Sequence, residues 1–178
     1  MKKIFTLTLV LLAMVFAANA QYLLQEGFET GTLPTGWTSV DSDNDGYNWD
    51  PSYLYAQSPS YAHTGDGMIS SASYNSTAGA LTPDNWLISP AVNLTANANL
   101  TFWVSAQDAS WAGEHYGVYI STTGTATSNF TLLFEETMDA NGGPRTQGTW
   151  KQKTVDLSNY TGQTVYIAFR HFNCTDMF

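Results

Sequence analysis

Residues 41–50 read DSDNDGYNWD and hold four carboxylates, Asp41, Asp43, Asp45 and Asp50. The first three alternate with small polar residues and end on Gly46. Alternate side chains of a curling loop aim at one centre, a glycine permits the sharp turn, and the carbonyl of the following residue, Tyr47, can complete an oxygen girdle. The spacing matches the first half of the D-x-D-x-D-G calcium loop, and calcium accepts six to eight oxygens in irregular geometry. An EF-hand would place Glu at the twelfth position, where this chain has Ser52, so a bidentate ligand has to come from elsewhere. Glu26 and Glu29 in QEGFETG are the nearest candidates. The same residues also make an Asx-rich solvated turn, and the loop alone does not separate the two readings.

Other pairs could support catalysis. Cys174 follows His171 by three residues, a nucleophile-and-base combination. On one strand, positions three apart point to opposite faces, so this cysteine is expected to be a buried or edge residue. Asp108 and Glu114 could form a glycosidase pair, but acids at a strand end and in a loop are usually solvated or cation-linked. His63 and His115 lack the spacing of a zinc helix motif, and there is no G-x-S-x-G elbow. The chain is expected to be no enzyme.

The elements that position these residues are strands. Asn85–Leu94, Asn99–Asp108, His115–Thr122, Phe130–Met138, Thr149–Leu157 and Thr164–Phe172 are rich in β-branched and aromatic residues. Leu100, Phe102 and Val104 fall on one face, and so do Val165, Ile167 and Phe169, which predicts strands with one face buried. Gly, Asn, Pro and Thr punctuate the connectors Ser121–Asn129 and Met138–Gly148. Together these signals predict an all-β sandwich or jelly roll in a single domain. Thr30–Thr82 reads instead as a long irregular region, the kind that carries function or is tied down by ligands. Trp37, Trp49, Tyr53, Tyr55, Tyr61 and Trp111 fall in loops, where aromatic faces can stack on sugars or anchor a protein. Trp37 and Trp49 are expected to fold over the sandwich as a second small core.

Bulk properties agree with an extracellular module. Met1–Ala20 carries two lysines, an apolar core and small residues at Ala18–Ala20, the layout of a secretory signal peptide, with 21–178 as the mature domain. Its apolar core is shorter than the roughly 20 residues of a spanning helix, so no membrane insertion is expected. Removing two lysines and no acid leaves four basic against fifteen acidic residues, a formal charge of −11 in place of −9. That balance disfavours a nucleic-acid partner, since phosphates need a basic face. One cysteine in 178 residues rules out a disulfide framework, so packing or metal must hold the fold.

The segments EGFETGTLPTGWTSVDSDNDGYNW, TPDNWLISPAVNL, LTFWVSAQDASWAGEHYGVYISTTG, GTWKQKTVDLS and VYIAFRHFNCTDMF, in this order, resemble the cleaved adhesin domain. These are hemagglutinin-type modules that accompany gingipain proteases, grouped also with choice-of-anchor J domains. The resemblance implies a jelly-roll β-sandwich of galactose-binding or MAM-like type, secreted by Bacteroidetes-like bacteria. It implies adhesion to host extracellular proteins or cell-surface glycans, with covalent neighbours in a longer polypeptide. It also implies structural calcium held by Glu29, Asp41, Asp43 and Asp45, with the carbonyls of Gly27 and Tyr47 as additions. Family members continue past the CTDMF position with an apolar strand ending in paired Asp, so the last strand is expected to be missing here. Gingipain proteolysis does not carry over, because this chain contains no protease domain. The alternative is a carbohydrate-binding or accessory module of a secreted peptidase or glycoside hydrolase.

Overall fold

The computed structural model describes residues 21–57, 61–138 and 150–175. The expected leader Met1–Ala20, most of the Met138–Gly148 connector and Asp176–Phe178 lie outside the described residues.

Among the described residues, ten strands run in chain order: β1 (Thr38–Asp41), β2 (Tyr74–Asn75), β3 (Gly79–Ala80), β4 (Asn85–Ile88), β5 (Val92–Asn93), β6 (Asn99–Val104), β7 (His115–Ser121), β8 (Thr131–Thr137), β9 (Lys151–Asp156) and β10 (Thr164–His171). All pairings are antiparallel. The main sheet has the order β1-β4-β10-β7-β8, with β5 joining β10 beyond the end of β4. β6 and β9 form the second layer, and β2–β3 is a small separate hairpin. Among the described residues the only helical turns are three short 3-10 segments.

Each of the six predicted runs contains a strand. Asn85–Leu94 contains two, because the chain breaks at Ser89-Pro90. Pro90 has no N–H to give a ladder. Ser89 takes over: its N–H donates to the Ile167 carbonyl at 2.8 Å, and its buried Oγ accepts from the Ile167 N–H at 3.0 Å.

The alternation in β6 resolves as expected. Leu100, Phe102 and Val104 turn inward, joined by Val155 of β9, and pack on Val118, Ile120, Val165 and Ile167 of the main sheet. Phe102 meets Phe169 edge-on at 5.0 Å. Val118 and Val165 are fully buried, and each such side chain contributes about 1.5–3 kcal/mol by leaving water. This is the two-layer all-β sandwich anticipated from the sequence.

The expectation of one buried face fails for the main sheet. Its other face carries a second apolar cluster, built from Trp86, Ile88, Tyr119, Ala168 and Phe172, with Val40, Phe130 and Tyr166 against it. Central strands covered on both sides lose the simple in–out alternation, and six of the seven residues of β7 are buried. The Arg170 guanidinium lies between the Trp86 and Phe172 rings, 4.9 and 4.3 Å from their centroids. Asp84 holds it in a two-pronged pair at 2.6 and 2.8 Å. The planar cation thus extends the apolar cluster while its charge stays paired.

The irregular region is also partly ordered into sheet. β1 was not foreseen, since Thr-Ser-Val-Asp is short and mostly polar. It forms because β4 offers an edge, with Val40 opposite Trp86 and Asp41 opposite Asn85. A bridge between Asp50 and Ser70 pins the middle of the region.

Candidate functional site

Asp41 is the last residue of β1, so the acidic loop begins where that strand leaves the sheet edge. Asn44 and Gly46 both adopt left-handed φ values, 60° and 85°, which asparagine and glycine tolerate. The loop curls around Asp41, whose Oδ1 accepts from the Asn44 N–H at 2.7 Å and whose Oδ2 accepts from the Gly46 N–H at 3.0 Å. Asp45 Oδ1 accepts from the Tyr47 N–H at 2.8 Å. Carboxylate oxygens of Asp41, Asp43 and Asp45 lie within 4.8 Å of one another.

Partial loss of water where the three carboxyls crowd together pushes the solvent-exposed Asp43 above its ordinary pKa, and the Asp41 oxygen and the Asp45 charge push it the same way. Burial also acts upward on Asp41, but hydrogen bonds from the Gly46 amide, the Asp43 carboxyl and the Asn44 amide outweigh it and hold Asp41 below the ordinary value. The loop therefore crowds three carboxyl groups whose mutual repulsion a bound cation would relieve. An oxygen-loving divalent cation fits that donor set, and the two exposed acids leave it open to solvent.

Glu29 is not brought to this group. Its Oε2 accepts from the Asp66 and Gly67 N–H groups at 3.0 and 3.1 Å. Gly27 stays with it, on the segment where Glu26 Oε1 accepts from the Gly27 and Phe28 amides. The spacing of Glu29 from the aspartates gave no hint of this, because the partners of Glu29 come from 37 and 38 residues downstream. Gly67 makes the docking possible: a Cβ there would lie 2.5 Å from the Phe28 backbone and from Glu29 Cα. Neither backbone can yield as a flexible side chain would. Gly67→Ala is expected to cost about 1–3 kcal/mol, read as a lowered denaturation midpoint. An unchanged midpoint would show that the 27–29 segment is not held against Gly67.

The loop aromatics divide. Trp37 packs edge-on against Phe28 at 5.4 Å, and the Trp49 indole N–H donates to the Asn85 carbonyl at 3.0 Å. Tyr55 covers Gly31, and the Tyr61 carbonyl accepts from the Trp150 indole. Tyr53 and Trp111 stand 58% and 51% exposed. Trp103 of β6 is a further exposed aromatic, 42% exposed and stacked on His63 at 3.9 Å.

Asp108 and Glu114 are each engaged elsewhere. Asp108 caps the 3-10 turn Ala109–Trp111, accepting from the Ser110 N–H at 2.7 Å. Glu114 contacts His171 at 2.8 Å and Cys174 at 3.2 Å. Cys174 Sγ also lies 3.1 Å from His171 Nε2, against the expectation of opposite faces. β10 ends at His171, and Asn173 turns the chain back through a left-handed φ of 54°. Burial pushes the Cys174 thiol up to about 12, so it holds its proton at neutral pH and is no ready nucleophile.

What fold and site define is an all-β sandwich with a cluster of three carboxylates where β1 leaves the sheet edge and with exposed aromatic side chains in loops. Residues 21–178 match the Cleaved Adhesin Domain, and the chain belongs to that family. It is similar to the K1 cleaved adhesin domain of Lys-gingipain from Porphyromonas gingivalis W83, with 47% identity and a TM-score of 0.71 over 86% of this chain and 89% of that one. The K3 domain of the same protein gives 44% and 0.73 over 88% and 91%. Among curated sequences, Hemagglutinin A of P. gingivalis is 43% identical over 88% of this chain, and Gingipain R1 is 48% identical over 87%. The chain spans only 8% and 9% of those relatives, which carry the homologous segment inside much longer polypeptides.

Proposed function

We propose that this chain is a secreted, non-catalytic bacterial adhesin module that attaches to host extracellular proteins or cell-surface glycans and is stabilised by structural calcium. The family match over 21–178 carries the reading. The apolar leader at Met1–Ala20 and the adhesin and hemagglutinin names of its relatives support secretion and attachment. Calcium is assigned to Asp41, Asp43 and Asp45, with the Tyr47 carbonyl completing the girdle. Bound there, it supplies positive charge and order to the loop and takes no part in chemistry. Exposed Trp111 and Tyr53 are the natural contacts for a partner, since a half-exposed aromatic buries large area at low entropic cost.

The test is binding of the purified chain to a panel of immobilised host extracellular proteins and to a glycan array. Saturable protein binding is expected, weakened about tenfold or more by Trp111→Ala, the size of a hot-spot loss. Binding confined to glycans would move the assignment to the carbohydrate-binding alternative. Glycan turnover abolished by Asp108→Asn would overturn both.

A further inference from the structure

We propose that Glu114, His171 and Cys174 form a second metal site, one that takes a borderline-soft divalent cation of the zinc type. Three different donor atoms converge: Glu114 Oε2, His171 Nε2 and Cys174 Sγ, separated by 2.8, 3.2 and 3.1 Å. Tetrahedral bonds of about 2.0–2.3 Å put ligand atoms roughly 3.3–3.7 Å apart, so the trio needs to open by only about half an ångström. Imidazole and thiolate together select zinc-like ions over calcium, which separates this site from the aspartate loop.

The arrangement is that of a ligand set and not of a nucleophile relay. A relay uses both imidazole nitrogens, one for the nucleophile and one for the orienting acid. Here the acid and the thiol both address Nε2, and Nδ1 is taken by Ser71 Oγ at 2.8 Å. A single nitrogen cannot deprotonate the thiol and donate to the carboxylate at once. It can share a metal ion with both.

A supporting layer holds the three donors. Ser73 Oγ donates to Glu114 Oε1 at 2.8 Å, leaving Oε2 for the centre. Ser71 Oγ accepts from Asn85 Nδ2 at 3.1 Å, and Asn85 is fully buried. On loading, the Cys174 thiol loses its proton to solvent. In the loaded site the ion replaces the hydrogen bond between His171 Nε2 and Glu114 Oε2: the Nε2 lone pair faces the ion, and the imidazole proton sits on Nδ1, donated to Ser71 Oγ. Outer partners of this kind fix ring orientation and tautomer in metal sites. The dication with one thiolate and one carboxylate is neutral overall, which suits a centre where His171 is 4% exposed. Cys174 also lines an open cleft of about 330 Å³ with Asp84, Arg170, Asn173 and Thr175, which provides an entry path and room for a water as fourth ligand.

Pairing in the main sheet builds the site. Tyr116 of β7 lies opposite His171 of β10, and the Phe172 N–H donates to the His115 carbonyl. Glu114 therefore falls beside the turn at Asn173 that carries Cys174.

The test is a Co(II) titration of the purified full chain, stripped with EDTA and then saturated with calcium to occupy the aspartate loop. One equivalent of cobalt is expected to raise a thiolate-to-cobalt charge-transfer band with tetrahedral d–d intensity, and zinc is expected to displace it. Cys174→Ser should abolish the charge-transfer band while preserving near-UV circular dichroism. Ser71→Ala should weaken binding about 10–100-fold, the usual effect of losing an outer partner. Asp43→Asn should leave the band unchanged. Absence of the band in the parent chain at excess cobalt would overturn the proposal and leave a hydrogen-bonded trio only. So would zinc binding undiminished in Cys174→Ser.

Discussion

Trp86→Ala lowers the unfolding free energy by about 3–5 kcal/mol, the cost of emptying a large aromatic site in a packed interior. At about 2–4 °C per kcal/mol for a domain of this size, the melting temperature falls by roughly 6–20 °C. Trp86 is only 5% exposed and belongs to the second cluster. It meets Tyr119 at 4.8 Å and Phe130 at 5.7 Å, and stacks under Arg170 at 4.9 Å. Its indole N–H donates to Asp84 Oδ1 at 3.0 Å, the carboxylate that also pairs with Arg170. Removing the ring opens a void and leaves the guanidinium with one aromatic face instead of two. Trp86→Phe keeps an aromatic ring and loses the N–H donor, so its cost should be nearer 1 kcal/mol. Urea unfolding at constant m-value reads both variants. An alanine variant within 1 kcal/mol of the parent would mean that the second face of the sheet contributes little.

Calcium is expected to raise the melting temperature, because an ion that binds only the native chain stabilises it by mass action. At a hundred times its dissociation constant the gain is about 2.7 kcal/mol, or roughly 5–10 °C here. EDTA should return the curve to its metal-free position. The variant that isolates the effect is Asp43→Asn. Asp43 sits against Asp41 and Asp45, so neutralising it relieves repulsion in the metal-free chain and should leave that state as stable as the parent or more so. The calcium increment should vanish. Asp41→Asn is less clean, since Asp41 also accepts from the Asn44 and Gly46 amides, and the loop itself would loosen. Identical melting curves with calcium and with EDTA would remove the calcium assignment, as would a full increment retained in Asp43→Asn.

These two experiments probe features that were unequally legible. The sandwich was readable because its signals are local: β6 and β10 carry apolar residues at period two, and burial against a facing layer enforces that period. The clustering of the aspartates was readable for the same reason, since Asp41, Asp43 and Asp45 lie within five residues and the turn glycine is adjacent. The partners of Glu29 were not readable, because a carboxylate names no partner until the fold brings one. Asp66 and Gly67 do so across almost forty residues, and only a glycine at 67 lets the backbones approach. β1 was invisible because a four-residue polar segment becomes a strand only when a neighbour supplies the ladder.

What the amino-acid order determined by itself was therefore the class, an acidic all-β domain, and the acidic loop in which three aspartates and a turn glycine come together. The tertiary structure decided which distant side chains meet. Strand periodicity assigns His171 and Cys174 to opposite faces. The left-handed turn at Asn173 folds them together, and the pairing of β7 with β10 carries Glu114 to the same point. Convergence of that kind depends on register and on a single backbone dihedral, and neither leaves a pattern in the residues themselves.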